Sequence, residues 1–286
     1  MIAEAQNTTA LEACRVALVT QLDQGQMALP VLPQVAGEVI QLTSDPNADL
    51  GHLSTLIHRD QALASHVLRV ANSAAYGADV AIVSLQQAVA RLGMKLLAET
   101  AIAVSVHREV FRAEGFDAEL ELIWRHALAA GSYGKEIARM KRHNVEGQFL
   151  CSLLHTIGQP VVLQGIADWQ GESRLQLAPS GIGILLEELH SRVGQQVAQQ
   201  WKLPQSVQSC CAHYREYAKA PSFEKEAAMT YLSNRLAAWL VQTEPLTDTG
   251  LIADHAFVHL NFYPDQIQQL LDQQETVLSV VQAIGP

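Results

Sequence analysis

Residues 60–93 read DQALASHVLRVANSAAYGADVAIVSLQQAVARLG, and this stretch sets the class of the fold. Asp60 can cap a helix whose apolar positions Leu63, Val67, Leu68 and Val70 recur three and four apart on one face. Asn72 and Ser73 end that run. Asparagine tolerates the left-handed conformation that closes many helices, so a cap and turn is expected there, continued by Tyr76-Gly77. Ser84 followed three residues later by Gln87 fits a capping box, and Gly93 fits the stop of the helix it opens. Val80 to Val83, between them, is too short to stand as a strand.

The same punctuation extends both ways. Towards the N-terminus, Pro33 can sit in the first turn of a helix running to about Ser44, with Val35, Val39, Ile40 and Leu42 on one face. Asp45-Pro46-Asn47 reads as a turn, and Asp49 can cap a short helix with Leu50, Leu53, Leu56 and Ile57 inward. Towards the C-terminus a helix is expected from Met94 to Phe111. A short polar link, Ala113 to Asp117, contains Gly115 and marks a boundary between a subdomain at 1–112 and a second one at 113–286. Further helices are expected at about Ala118–Arg142 and near 146–157, 160–169, 181–201, 204–218, 222–242 and 264–283. The glutamine-rich run from Gln266 to Glu275 keeps a stripe of Ile267, Leu270, Leu271, Leu278 and Val281, which makes it a packing helix. Strand alternation is absent throughout, so the expected class is all-α.

Composition narrows the function. Of 286 residues 49% are apolar and 17% charged, enough for a packed core and too apolar for disorder. The formal net charge is −10, whereas a duplex-binding chain presents a basic face to phosphates. The one dense basic run, Arg139, Lys141, Arg142 and His143, suits the solvated C-terminal end of a helix. Nucleic acid is therefore not an expected partner. No stretch reads as a continuous membrane span, and no basic segment followed by an apolar run opens the chain, so a cytoplasmic location is expected. Cys14, Cys151, Cys210 and Cys211 form no C-x-x-C pair. Gly181 and Gly183 follow no strand, so they do not form a phosphate-cradling loop. No Gly-x-Ser-x-Gly elbow supports serine hydrolase chemistry.

One ordered set of residues is more specific. Leu29-Pro30, Leu32-Pro33 and Asp45-Pro46 are followed by Ile57, Asp60, Leu63 and Leu68, then Ala71-Asn72-Ser73-Ala74, Tyr76-Gly77, Ser84-Leu85, Ala88 and Leu92-Gly93. This run resembles the HDOD family, a regulatory branch of the HD-domain superfamily, and the resemblance extends over roughly residues 27 to 240. It implies an HD-domain-like helical bundle with an N-terminal helical subdomain.

It also implies that His126, His155, His190 and His213, carried on separate helices, follow the order of the superfamily's metal-binding scaffold. In that scaffold histidines and an His-Asp pair hold one or two metals that activate water for phosphoester hydrolysis. Hard divalent metals favour anionic oxygen ligands. Here the aspartate of the pair is Thr156 and the later aspartate is Asn234, while Tyr214 follows His213 where a second histidine is often found. Both carboxylates have become neutral groups. Four histidines could hold a divalent metal such as zinc if their geometry converged. Cys151, one turn before His155, could add a soft ligand, although a buried thiol more often serves as a small hydrophobe. His52, His58, His66 and His107 have no matching partners.

The expectation is thus a non-catalytic HDOD-type regulatory module of bacterial signal transduction, acting through signalling proteins or a bound small ligand, with no cofactor. The alternative is a metal-dependent phosphohydrolase with an altered histidine-rich site.

Overall fold

The computed structural model describes residues 2–44, 50–73, 76, 81–243 and 245–285. Among them there is no strand. The helices are α1 (Ile2–Asp23), α2 (Gln34–Ser44), α3 (Leu50–Arg59), α4 (Gln61–Ala71), α5 (Leu85–Val110), α6 (Asp117–Met140), α7 (Val145–Leu154), α8 (Gly158–Ser173), α9 (Pro179–Gln200), α10 (Gln205–His213), α11 (Glu224–Val241), α12 (Asp248–Ile252), α13 (His255–His259), α14 (Pro264–Leu271) and α15 (Gln274–Ile284), with a 3-10 turn at Tyr214–Lys219 after α10. The protein is all-α.

Local chemistry explains the ends. Asp60 Oδ1 accepts from the backbone N–H of Ala62 and Leu63, both at 3.0 Å, and so caps α4. Ser84 Oγ accepts from Gln87 N, and Gln87 Oε1 accepts from Val83 N, one residue further back than a standard box. Gly93 ends its helical run as expected: with φ of 70° and ψ of 167°, a conformation open to a residue without Cβ, it separates α5 into two helical runs, the second starting at Met94. Asn72 caps α4 without the left-handed conformation expected of it: φ is −94°. Its side chain acts elsewhere. Oδ1 accepts from Ile82 N at 2.7 Å, while Nδ2 donates to Ile82 O at 2.8 Å and to Leu68 O at 2.9 Å. The proposed turn at 45–47, the cap at Asp49 and Gly77 lie outside the described residues.

In the second half, α6 is the hub, packed against α7, α11 and α15, and α8 runs against α9. Glycine sets the closeness of the latter pair. A Cβ on Gly158 would stand 2.0 Å from the His190 carbonyl oxygen and 2.6 Å from Gly194 N, so α8 and α9 touch backbone to backbone. The stretch Val145–Ser173 is long and apolar enough to be weighed as a membrane span, but 83% of its apolar window is buried inside the fold, and a turn at 155–157 divides it. It is two successive core helices, α7 packed on α6 and α8 on α9.

Two features depart from the sequence expectation, the split of the last expected helix and the N-terminal helix α1. The region expected as one helix at 264–283 is two, α14 and α15. α15 packs on α4, α5 and α6 and so touches both sides of the 113–117 link. α1, unanticipated, packs on α8 and α9 through buried Cys14, Leu18 and Leu22, with Arg15 paired to Glu188 and Arg192 to Asp23. One apolar cluster runs from Ala10 to Ile284.

Candidate functional site

Four helices bring the predicted residues together. His126 projects from α6, His155 follows the last residue of α7, His190 lies on α9 and Asn234 on α11. Asn234 Oδ1 stands 2.9 Å from His126 Nε2 and 2.9 Å from His155 Nε2. The two imidazole centroids are 5.8 Å apart, and both histidines are buried. The two rings thus aim their Nε2 atoms at one amide.

Protonation states follow from the other nitrogens. His155 Nδ1 lies 2.6 Å from the Ser152 carbonyl oxygen, which can only accept, so Nδ1 carries the proton. If Nε2 also met an oxygen acceptor the ring would be an imidazolium. Burial, and then the neighbouring His126, instead hold His155 down to about 3. Burial likewise takes His126 to about 4. A half-turn of the Asn234 amide exchanges its oxygen and nitrogen at no change in shape and removes the conflict. The NH2 group then donates to both Nε2 lone pairs, and His126 Nδ1–H donates to Thr243 Oγ1 at 3.3 Å. The centre is a neutral His–Asn–His network in which one amide serves two rings.

A second network runs outward from it. The His155 ring meets Tyr214 edge-on, with centroids 4.8 Å apart. His190 Nδ1 donates to the Leu186 carbonyl at 2.6 Å, and its Nε2 accepts from Tyr214 OH at 3.1 Å. Burial, then the charge of Arg215, holds His190 at about 4, the neutral form. Arg215 Nε donates to Tyr214 Oη at 3.0 Å, and the other arms of its guanidinium grip the Glu187 carboxylate, Nη2 to Oε2 at 2.7 Å. Tyr214, Arg215 and Glu187, with His126 and Asn234 of the centre, border a cavity of about 230 Å³, lined also by Leu122, Ile123, Thr156, Gln159 and Thr243. Thr156 Oγ1 is buried there without a hydrogen-bond partner.

The structure therefore gathers His126, His155, Thr156 and Asn234, and sets His190 beside them through Tyr214. No hydrogen bond or ring contact joins His213 to this group among the described residues; Tyr214, one residue on, takes the place facing the centre. Cys151 is fully buried and its thiol is raised well above its ordinary value, first by hydrogen bonding with Cys210 and then by burial. No contact links it to His155, and it acts as the small hydrophobe. Glu187, Arg215, Gln159 and Thr243 had no assigned role. The signal for Glu187 was its position three residues before His190, on the same helical face. His66, also without a role, has Nε2 3.1 Å from the Ile284 carbonyl and ties α4 to α15.

The scaffold's metal fits these residues poorly. Two neutral imidazoles, an amide and a hydroxyl supply no anionic oxygen, and among the described residues no three histidine, cysteine, aspartate or glutamate side chains converge to hold an ion.

Comparison with known proteins gives the family and the fold. The HDOD domain model matches residues 29–217, more than half of the chain. The chain belongs to the HDOD family. A structure of an HDOD domain protein from Geobacter sulfurreducens superposes with a TM-score of 0.74 at 19% identity, covering 94% of this chain and 97% of the other. A Shewanella amazonensis SB2B protein, whose name proposes a metal-dependent phosphohydrolase, superposes with a TM-score of 0.72 at 20% identity over 96% of this chain and 99% of its own. A Marinobacter aquaeolei VT8 protein, whose name proposes signal transduction, gives 0.67 at 20% identity, over 96% of this chain and 66% of its own. At these identities the likeness is one of fold. A protein of Treponema pallidum (strain Nichols) is 24% identical over 212 residues, and the match spans 71% of this HDOD chain but only 40% of that relative.

Proposed function

We propose that this HDOD chain is a non-catalytic regulatory module of bacterial signal transduction, working in the cytoplasm through signalling proteins or a bound small ligand rather than through nucleic acid or a membrane. The observation that supports this reading is Asn234. Its amide takes up the Nε2 lone pairs of both His126 and His155, the atoms a metal would need, and no carboxylate replaces it. Activation of water for phosphoester hydrolysis needs a Lewis acid or a poised base, and two rings held neutral and already hydrogen-bonded supply neither. The division into an N-terminal subdomain at 1–112 and a bundle at 113–286 belongs to the same proposal, with α15 as the element that would couple them.

The test is turnover of generic phosphoesters and cyclic dinucleotides by the purified full chain, with manganese, iron, magnesium and nickel in turn. None is expected. Turnover that disappears in both His126→Ala and His155→Ala would establish the metal-dependent phosphohydrolase instead.

A further inference from the structure

The cavity beside the histidines is rich in donors. Thr156 hydroxyl, Gln159 amide and Arg215 guanidinium line it, with Leu122, Ile123 and the ring of Tyr214, whose hydroxyl is taken up by His190, as its wall and Glu187 as its one carboxylate. One observation points to an absent acceptor, and a second to the kind of group that would fit. Thr156 is 2% exposed, and its Oγ1 has no partner; a buried hydroxyl without an acceptor is destabilising unless something supplies one. The Arg215 fork is already shaped around an oxyanion, since it holds the Glu187 carboxylate with both terminal nitrogens, and a guanidinium fork that fits a carboxylate fits a phosphate equally.

We propose that this cavity is an oxyanion site for a phosphate-type group, and that Glu187 is its built-in counter-anion, which keeps inorganic phosphate out until the carboxylate is drawn away from Arg215. The proposal rests on the non-catalytic reading above, since it concerns binding without turnover. The Glu187 side chain is 67% exposed and that of Arg215 36%, so the pair can part without unfolding anything. A volume of about 230 Å³ leaves room for an oxyanion and several waters, each occupying ~30 Å³ in the liquid. While in place, Glu187 competes as an intramolecular ligand, at an effective concentration in the millimolar range or above, and adds a repelling charge. With Glu187 displaced, Arg215 would give the anion its charge and Thr156 and Gln159 would supply neutral donors.

The experiment titrates inorganic phosphate into the full chain by calorimetry, with ionic strength held constant by chloride. The parent is expected to bind weakly. Glu187→Gln, an exposed substitution that leaves the fold intact, is expected to bind at least about tenfold more tightly. Adding Arg215→Met or Thr156→Val to Glu187→Gln should reverse that gain, wholly in the first case and severalfold in the second. Equal phosphate binding by parent and Glu187→Gln would overturn the proposal, as would a gain that survives Arg215→Met. Hydrolysis of p-nitrophenyl phosphate by Glu187→Gln, alongside tighter phosphate binding, would support the anion site while overturning the non-catalytic reading, so the two fail separately.

Discussion

At the centre of the cavity one amide serves two neutral histidines and the buried Thr156 hydroxyl beside them has no partner, while at its mouth Glu187 and Arg215 pair as ions. The centre is buried and uncharged, with both rings hydrogen-bonded; the mouth is charged and half-exposed. The difference teaches where a ligand can act. A satisfied buried network resists change, because opening it strands several polar groups at once. A solvent-exposed ion pair contributes ~0–1 kcal/mol and yields easily. On the reading proposed above, the mouth is therefore where a ligand would act.

Acid should break the centre first and most strongly. His126, His155 and His190 have folded values of about 4, 3 and 4, below the ordinary 6.5. Between those values and 6.5 the unfolded chain binds protons that the folded chain refuses, so stability rises with pH across this window. It should be highest above about pH 6.5 and fall steadily towards about pH 4. Each fully buried histidine contributes on the order of 3 kcal/mol to that loss. Urea unfolding at pH 7.5, 6 and 5 measures it, and a flat profile would show that the rings are not held neutral in the fold.

Removing the shared amide comes next. Asn234→Ala leaves two Nε2 acceptors unpaired in a buried site and opens a void, with an expected loss of about 3 kcal/mol. Chemical denaturation is the measurement, and a loss below ~1 kcal/mol would mean the amide does not serve both rings.

Rebuilding the carboxylates should invert the centre's character. In Thr156→Asp, Asn234→Asp the two buried acids repel each other and lack solvation, so the metal-free protein should melt below the parent. Added manganese or zinc should then raise its stability, by roughly 2.7 kcal/mol at a hundredfold excess over the dissociation constant, and leave the parent unmoved. Melting like the parent, with no metal response, would remove positions 156 and 234 from a former metal site.

The smallest effects should come from the orphaned Thr156 hydroxyl and from the ion pair at the mouth. Thr156→Val keeps the shape and deletes an orphaned hydroxyl, so thermal unfolding should show a change between zero and about 1 kcal/mol of added stability. Glu187→Gln should cost at most ~1 kcal/mol. A large loss from the latter would make the mouth as integral to the fold as the centre.

Much of this was legible from local patterns. Asp60 and Ser84 cap as their spacing says; His126, His155, His190 and Asn234 were singled out by the family resemblance, and the structure sets them side by side. The misses have physical causes. α1 is held by packing on α8 and α9, through buried Cys14, Leu18 and Leu22. α12 and α13 are five residues each, too short for helical periodicity to register. His213 was named from the family's order of histidines, yet the buried stripe of α10 runs Val207, Cys210, Cys211 and on to Tyr214, which leaves His213 off the face. Asn72 was read as a cap in an unusual conformation, and the bond to Ile82, ten residues away, is tertiary and leaves no local trace.

Gly158 has a further consequence for how this pocket can respond. With the His190 carbonyl where a Cβ would have to go, α8 and α9 are fastened like two rods welded at one point, and that point lies between Thr156 and His190. The floor of the pocket therefore has a fixed width. Any message the pocket sends must travel by rotation about that weld or by its outer rim, where Glu187 sits three residues up α9 from His190 and Arg15 of α1 grips the adjoining Glu188. A stimulus that moves α1 would thus reach the carboxylate guarding the pocket along a single rigid helix.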